Sequence, residues 1–136
     1  MAKLSKAECQ RLARIIGGKI LASNSACVVQ RIRTNLNLKV LGRRTRSPLN
    51  LPFALSFEDR DSKGRTLNFG EVVILEREIN RFDLGLRKRG ITVTALHNHW
   101  LFQNTPFKYI HWQSIDNPES FARKSLAAAK EAGMFK

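Results

Sequence analysis

Between residues 66 and 100 the apolar spacing changes from every second residue to helical spacing and back again. Few architectures accommodate that change. Leu75, Ile79, Phe82 and Leu86 form a stripe that predicts a helix over roughly 76 to 89. Glu76 and Glu78 stand in its first turn, and Arg87, Lys88 and Arg89 crowd its last. Gly90 takes the place of a C′ glycine, so charge complements the helix dipole at both ends. β-Like runs flank this helix, near 66 to 75 on one side and near 91 to 100 on the other. A further strand is expected near 107 to 115.

The rest of the chain extends the pattern. Ser5-Lys6-Ala7-Glu8 has the form of a capping box, and Cys9, Leu12, Ile16 and Ile20 follow at helical spacing. Gly17-Gly18 ends that first helix. "CVVQRIRTN" is rich in β-branched residues, Leu36, Leu38 and Val40 alternate with polar positions, and so do Phe53, Leu55 and Phe57. "GRRTRSPLNLP" reads as a basic loop. Asn117-Pro118 reads as an N-cap followed by proline at the first helical position, opening a last helix to about Ala132. The order is α-β-β-β-β-α-β-β-α. It predicts one α+β domain over residues 1–136, with a mainly antiparallel sheet and helices packed on one face.

All three histidines of the chain, His97, His99 and His111, fall within "ITVTALHNHWLFQNTPFKYIHW". Alternation puts His97 and His99 on one strand face with Ile91, Val93 and Ala95, and puts His111 on a face with Phe107 and Tyr109. A hairpin centred near Asn104 would set His97 opposite His111 and His99 opposite Tyr109. Opposed Cβ atoms lie only ~4.5–5.5 Å apart, so the three rings would converge. Three histidines with an open fourth position suit a catalytic zinc, and imidazole also accepts other divalent metals. A one-residue change of register would remove His111 from the group. Glu76 or Glu78, at the start of the preceding helix, could supply a fourth ligand or a general base. The competing reading of the histidines is a hydrogen-bonded polar cluster beside Tyr109, Trp100 and Trp112, with a structural or subunit-interface role.

The chain carries a net charge of +13, of which residues 1–57 contribute +10 with Glu8 as their one acid. Such a half favours a polyanionic partner, either nucleic acid or an anionic small molecule. Arg43, Arg44 and Arg46, with Lys39 nearby, form the candidate anion-binding loop, since the guanidinium fork fits phosphate. Phe53 and Phe57, the two aromatics of this half, sit in a core-like alternation, which disfavours a single-strand stacking platform.

Several classes drop out. "DRDSKG" at 59–64 imitates half of a calcium loop but places Lys63 where an oxygen ligand is required, so a hairpin turn suffices. No Walker or dinucleotide fingerprint is present. No apolar run approaches the ~20 residues that span a bilayer, and the start lacks a secretory pattern. Cys9 and Cys27 form no CxxC pair. They are expected as reduced, partly buried thiols in a cytoplasmic protein.

Four segments, "LGRRTRSPL", "GEVVILEREIN", "GITVTALHNHWL" and "FKYIHW", precede a helix that begins near Pro118. In this order they resemble the bacterial LppY/LpqO-like family, a domain of unknown function with some lipoprotein members. The resemblance runs from about residue 40 to residue 130. It implies that His97, Asn98, His99, His111, Glu76 and Glu78 fall on motif positions. Arg81 and Pro106-Phe107 depart from the family pattern, and the lipoprotein signal is not seen. Taken together, these readings predict a cytoplasmic α+β domain that binds a divalent metal, most readily zinc, with hydrolase or lyase chemistry on an anionic substrate. The alternative is a non-enzymatic nucleic-acid or polyanion-binding module.

Overall fold

The computed structural model describes residues 2–135. Eleven elements follow one another as α1 (Lys6–Ile16), β1 (Lys19–Ala22), β2 (Cys27–Ile32), β3 (Lys39–Val40), β4 (Arg43–Arg44), β5 (Pro52–Glu58), β6 (Thr66–Leu75), α2 (Glu76–Arg87), β7 (Thr92–His97), β8 (Phe107–Asp116) and α3 (Pro118–Glu131). Six strands form one antiparallel sheet in the order β1-β2-β5-β6-β8-β7, and β3 and β4 make a separate two-stranded ribbon. The α+β class and the helix-flanked antiparallel sheet are as expected. β1 and β4 are additions to the expected strands. Ile20 belongs to β1 and not to the first helix, which stops at Gly17 in the left-handed conformation (φ 72°).

Local chemistry accounts for the helix ends. Ser5 and Glu8 close the capping box of α1 reciprocally. At α2, the Leu75 N–H donates to Glu78 Oε1 at 2.9 Å. At its far end, Gly90 (φ 78°) lets the Ile91 N–H return to the Leu86 carbonyl at 3.1 Å. Asn117 caps α3 through Ser120 N, with Pro118 behind it.

The helices cover one face of the sheet. Leu12 and Ile16 of α1, Phe82 and Leu86 of α2, and Phe121 and Ala128 of α3 meet Val29, Phe53, Leu55, Val72, Ile110 and Trp112 from the strands. Trp112 sits at the centre, edge-on to Phe82 with ring centroids 5.0 Å apart. Its indole N–H donates to the buried Ser125 Oγ at 3.0 Å, which satisfies both polar groups. Gly70 in β6 makes room for it, because a Cβ there would lie 2.1 Å from the indole ring. Cys9 and Cys27 are joined by a disulfide across the α1–β2 contact, which corrects the reduced-thiol expectation. Their 18-residue separation and unpaired sequence context carry no signal of that pairing. The bond also removes the thiol argument for a cytoplasmic chain, since disulfides persist in oxidising compartments. No helix among the described residues is long and apolar enough to cross a membrane.

The opposite face is only half covered. The segment from Leu36 to Leu51, including the β3–β4 ribbon, packs Leu36, Leu38 and Leu51 on Val73 and Tyr109. Beyond that cover the face stays open, with Phe69, Glu71 and His111 at its surface.

Candidate functional site

The histidines gather on the open face, at the margin of the cover. Their positions depend on two features of β7. A bulge between Val93 and Ala95 puts Thr94 and Ala95 together against His111. Ile91 and Val93 therefore turn into the helix-side core, whereas His97 turns to the open face. This corrects the expected strand, in which simple alternation kept all of them on one side. The pairing also differs from the expected hairpin: His97 stands opposite Tyr109, and Ala95 opposite His111. That is an offset of two residues, and two residues restore the same face. The three rings still converge, with cross-strand partners other than those expected.

His97 Nε2 and His111 Nε2 are 2.8 Å apart, so one ring donates a proton to the lone pair of the other. The His99 ring lies 5.5 Å from the His97 ring and stacks flat on Tyr109, with 3.3 Å between centroids. The Tyr109 hydroxyl donates to the Asn50 carbonyl at 2.8 Å, tying the platform to the covering segment. Burial pushes Tyr109 up to about 12, assisted by the Glu71 charge, so it stays a neutral donor. Burial likewise lowers His99 and His111 below the usual imidazole value, against the opposing pull of Glu71. Both rings therefore favour the neutral form that ligates metal.

Glu71 is the acid beside the histidines. It lies across from His111 in the β6–β8 pairing, with Oε1 3.8 Å from His111 Nδ1. It is not among the residues expected from the sequence. The available signal was its place in "FGEVV", two residues before Val73 on one strand face, but its partner becomes visible only with the cross-strand register. Glu76 is exposed and forms no ion pair among the described residues. Glu78 is buried, and its carboxylate is held bidentately by Arg33 at 2.8 Å and 2.8 Å. The expectation that one of this pair serves the histidines is thus corrected. Burial consumes Glu78 in the fold, and Glu76 faces solvent.

Asn98, between the two histidines, has a positional role. Its side-chain amide donates to the carbonyls of Trp100 and Gln103, and its Oδ1 accepts from Trp100 N and Thr105 Oγ1. These bonds fix the 98–106 loop. Arg44 and Arg46 line a separate cavity of about 250 Å³ with Ile32, Thr34, Leu36 and Leu51, which contains no histidine. Arg43 is exposed in β4. Among the described residues, no group of three or more His, Cys, Asp or Glu side chains stands ready to hold a metal ion.

Fold and site together describe a small α+β domain with one solvent-open sheet face carrying a histidine cluster. A family model described as Domain of Unknown Function (DUF1259) matches residues 10–131, and the chain belongs to that family. No curated protein and no solved structure matches it.

Proposed function

We propose that the open face is a metal-binding site in which His97, His99 and His111 are the ligands and Glu71 orients His111. The 2.8 Å approach of two Nε2 atoms carries this reading. Two ligands of one tetrahedral zinc, each at ~2.0–2.1 Å, stand about 3.3 Å apart. Small side-chain rotations of His97 and His111 would open the pair to that spacing. To join them His99 would also leave its stack on Tyr109. Glu71 on the far nitrogen of His111 matches the carboxylate–histidine arrangement that fixes the ligating tautomer. Three histidines leave one position for water, which a bound zinc would activate for hydrolase or lyase chemistry.

Metal analysis of protein purified without a His tag tests this. About one equivalent is expected in the parent chain and little in His97→Ala/His99→Ala, whereas substoichiometric metal in both sinks the proposal. Glu71→Gln should weaken metal affinity ~10–100-fold.

The finer LppY/LpqO-like assignment within the family is supported by "TALHNH" and "GEVVILEREIN" standing in order. Localisation on this reading follows the disulfide, which favours an oxidising compartment over the cytoplasm. A second reading, polyanion binding, is supported by Lys39, Arg43, Arg44 and Arg46, which make no ion pair among the described residues. It predicts retention on heparin that falls steeply with salt.

A further inference from the structure

Three large apolar side chains stand almost wholly in solvent: Leu41 at 99%, Leu101 at 82% and Phe102 at 102% relative exposure. Isolated exposed hydrophobics are ordinary, but these three stand on two segments that meet. Leu38, Lys39, Val40 and Leu41 line the same small cavity as Trp100, Gln103 and Thr105. Val40 and Trp100 also pack on one cluster. The tip of the β3–β4 ribbon and the 98–106 loop therefore project side by side.

Both projections have defined shapes. Asn98 holds the loop through four hydrogen bonds. Leu41 (φ 52°) and Phe102 (φ 59°) adopt the left-handed backbone that residues with a Cβ disfavour. Strain of this kind persists where the surroundings enforce it, and it concentrates at functional positions.

Charge indicates what these tips meet. Residues 34–50 contain Lys39, Arg43, Arg44 and Arg46 and no acid, and residues 98–110 contain Lys108 and no acid. Several arginines and lysines elsewhere find carboxylates, as Arg11 and Arg123 do with Glu119 and Lys88 and Arg89 do with Glu131. A nucleic acid would satisfy these cations but leave Leu41 and Leu101 in water. An anionic bilayer surface satisfies both sets, taking apolar knobs into the acyl boundary and cations at the phosphate level.

We propose that the β3–β4 tip and the 98–106 loop form a docking surface for anionic lipid, with Leu41, Leu101 and Phe102 inserted and Lys39, Arg43, Arg44 and Arg46 on the headgroups. The surface does not depend on the metal reading, so the test uses chelator-treated full chain. Sedimentation with phosphatidylcholine vesicles is compared with and without phosphatidylglycerol. Binding is expected only with phosphatidylglycerol and should weaken as salt rises. Brominated acyl chains should quench Trp100, since Trp112 is buried at 1% exposure.

Leu41→Ser/Leu101→Ser/Phe102→Ser should lower vesicle affinity at least about tenfold with an unchanged melting temperature. Arg43→Gln/Arg46→Gln should lower it about fivefold per cation removed and reduce the salt dependence. The proposal is overturned if phosphatidylglycerol vesicles bind no protein. It is also overturned if the triple serine variant binds as tightly as the parent, or if duplex DNA is preferred to vesicles at matched salt.

Discussion

Trp112 and His111 are adjacent in β8 and experience opposite surroundings. Trp112 points to the helices, packs against Phe53 and Phe82, and has its one polar atom satisfied by Ser125. His111 points the other way, half-exposed, with one ring nitrogen turned to His97 and the other to Glu71. The same division runs across the sheet: one face is closed by three helices, the other only partly by the Leu36–Leu51 segment. Packing uses up side chains on the first face. On the second it leaves titratable ones available, so stability and chemistry can be altered separately.

That separation can be broken most directly at Glu78. Glu78→Ala strands the fully buried Arg33 guanidinium and should cost about 3–5 kcal/mol. Glu76→Ala, two residues away in the same turn, should stay within about 0.5 kcal/mol. Urea unfolding reads both, through the midpoint at constant m-value. Gly70→Ala comes next. Its methyl would drive the indole of Trp112 out of place, at a cost of about 1–3 kcal/mol by the same measurement.

The open face should respond differently. In chelator-treated protein, where lost metal binding adds nothing to the difference, His97→Ala/His99→Ala should change unfolding free energy by no more than about 1 kcal/mol, because both side chains are exposed. A loss of several kcal/mol would mean that the histidines are structural and that the two faces are not independent.

The smallest effect concerns acid. Hydrogen bonds from Arg89 and then Lys88 hold Glu131 down to about 2, so the α2–α3 clasp stabilises the fold above the ordinary carboxylate range. The contribution fades as pH falls through that range toward about 2, where the folded-state carboxylate itself becomes protonated. Glu131→Gln should flatten stability against pH over that window alone, read by thermal melts at stepped pH. Metal content should not change.

Legibility in the sequence followed the distance over which each feature is decided. Helix α2 was readable because its stripe, end charges and Gly90 lie within sixteen residues of one another. α1 and α3 announced their starts in single turns, through Ser5–Glu8 and Asn117-Pro118. The 59–64 turn is likewise local: Asp61 Oδ1 accepts from Lys63 N and Arg65 N, and Gly64 takes a positive φ of 77°. Cross-strand register is decided elsewhere. β1 is short and mostly exposed, so it left no periodic mark. Glu71 became a neighbour of His111 only through pairing between strands about forty residues apart. The histidine cluster was anticipated because face assignment needs only parity, which an offset of two preserves. The carboxylate beside it needed the exact register.

The bulge at Thr94 gives β7 one residue to spare. If Thr94 were lost, Val93 and His97 would keep their present faces through plain alternation, since the bulge contributes the extra residue. If Leu96 were lost instead, Thr94 would move opposite His111, Ala95 would take the place of Leu96 toward the helices, and His97 would again keep its face. A single deletion between Val93 and His97 therefore leaves the two histidines facing each other, whereas a second one would turn His97 toward the helices.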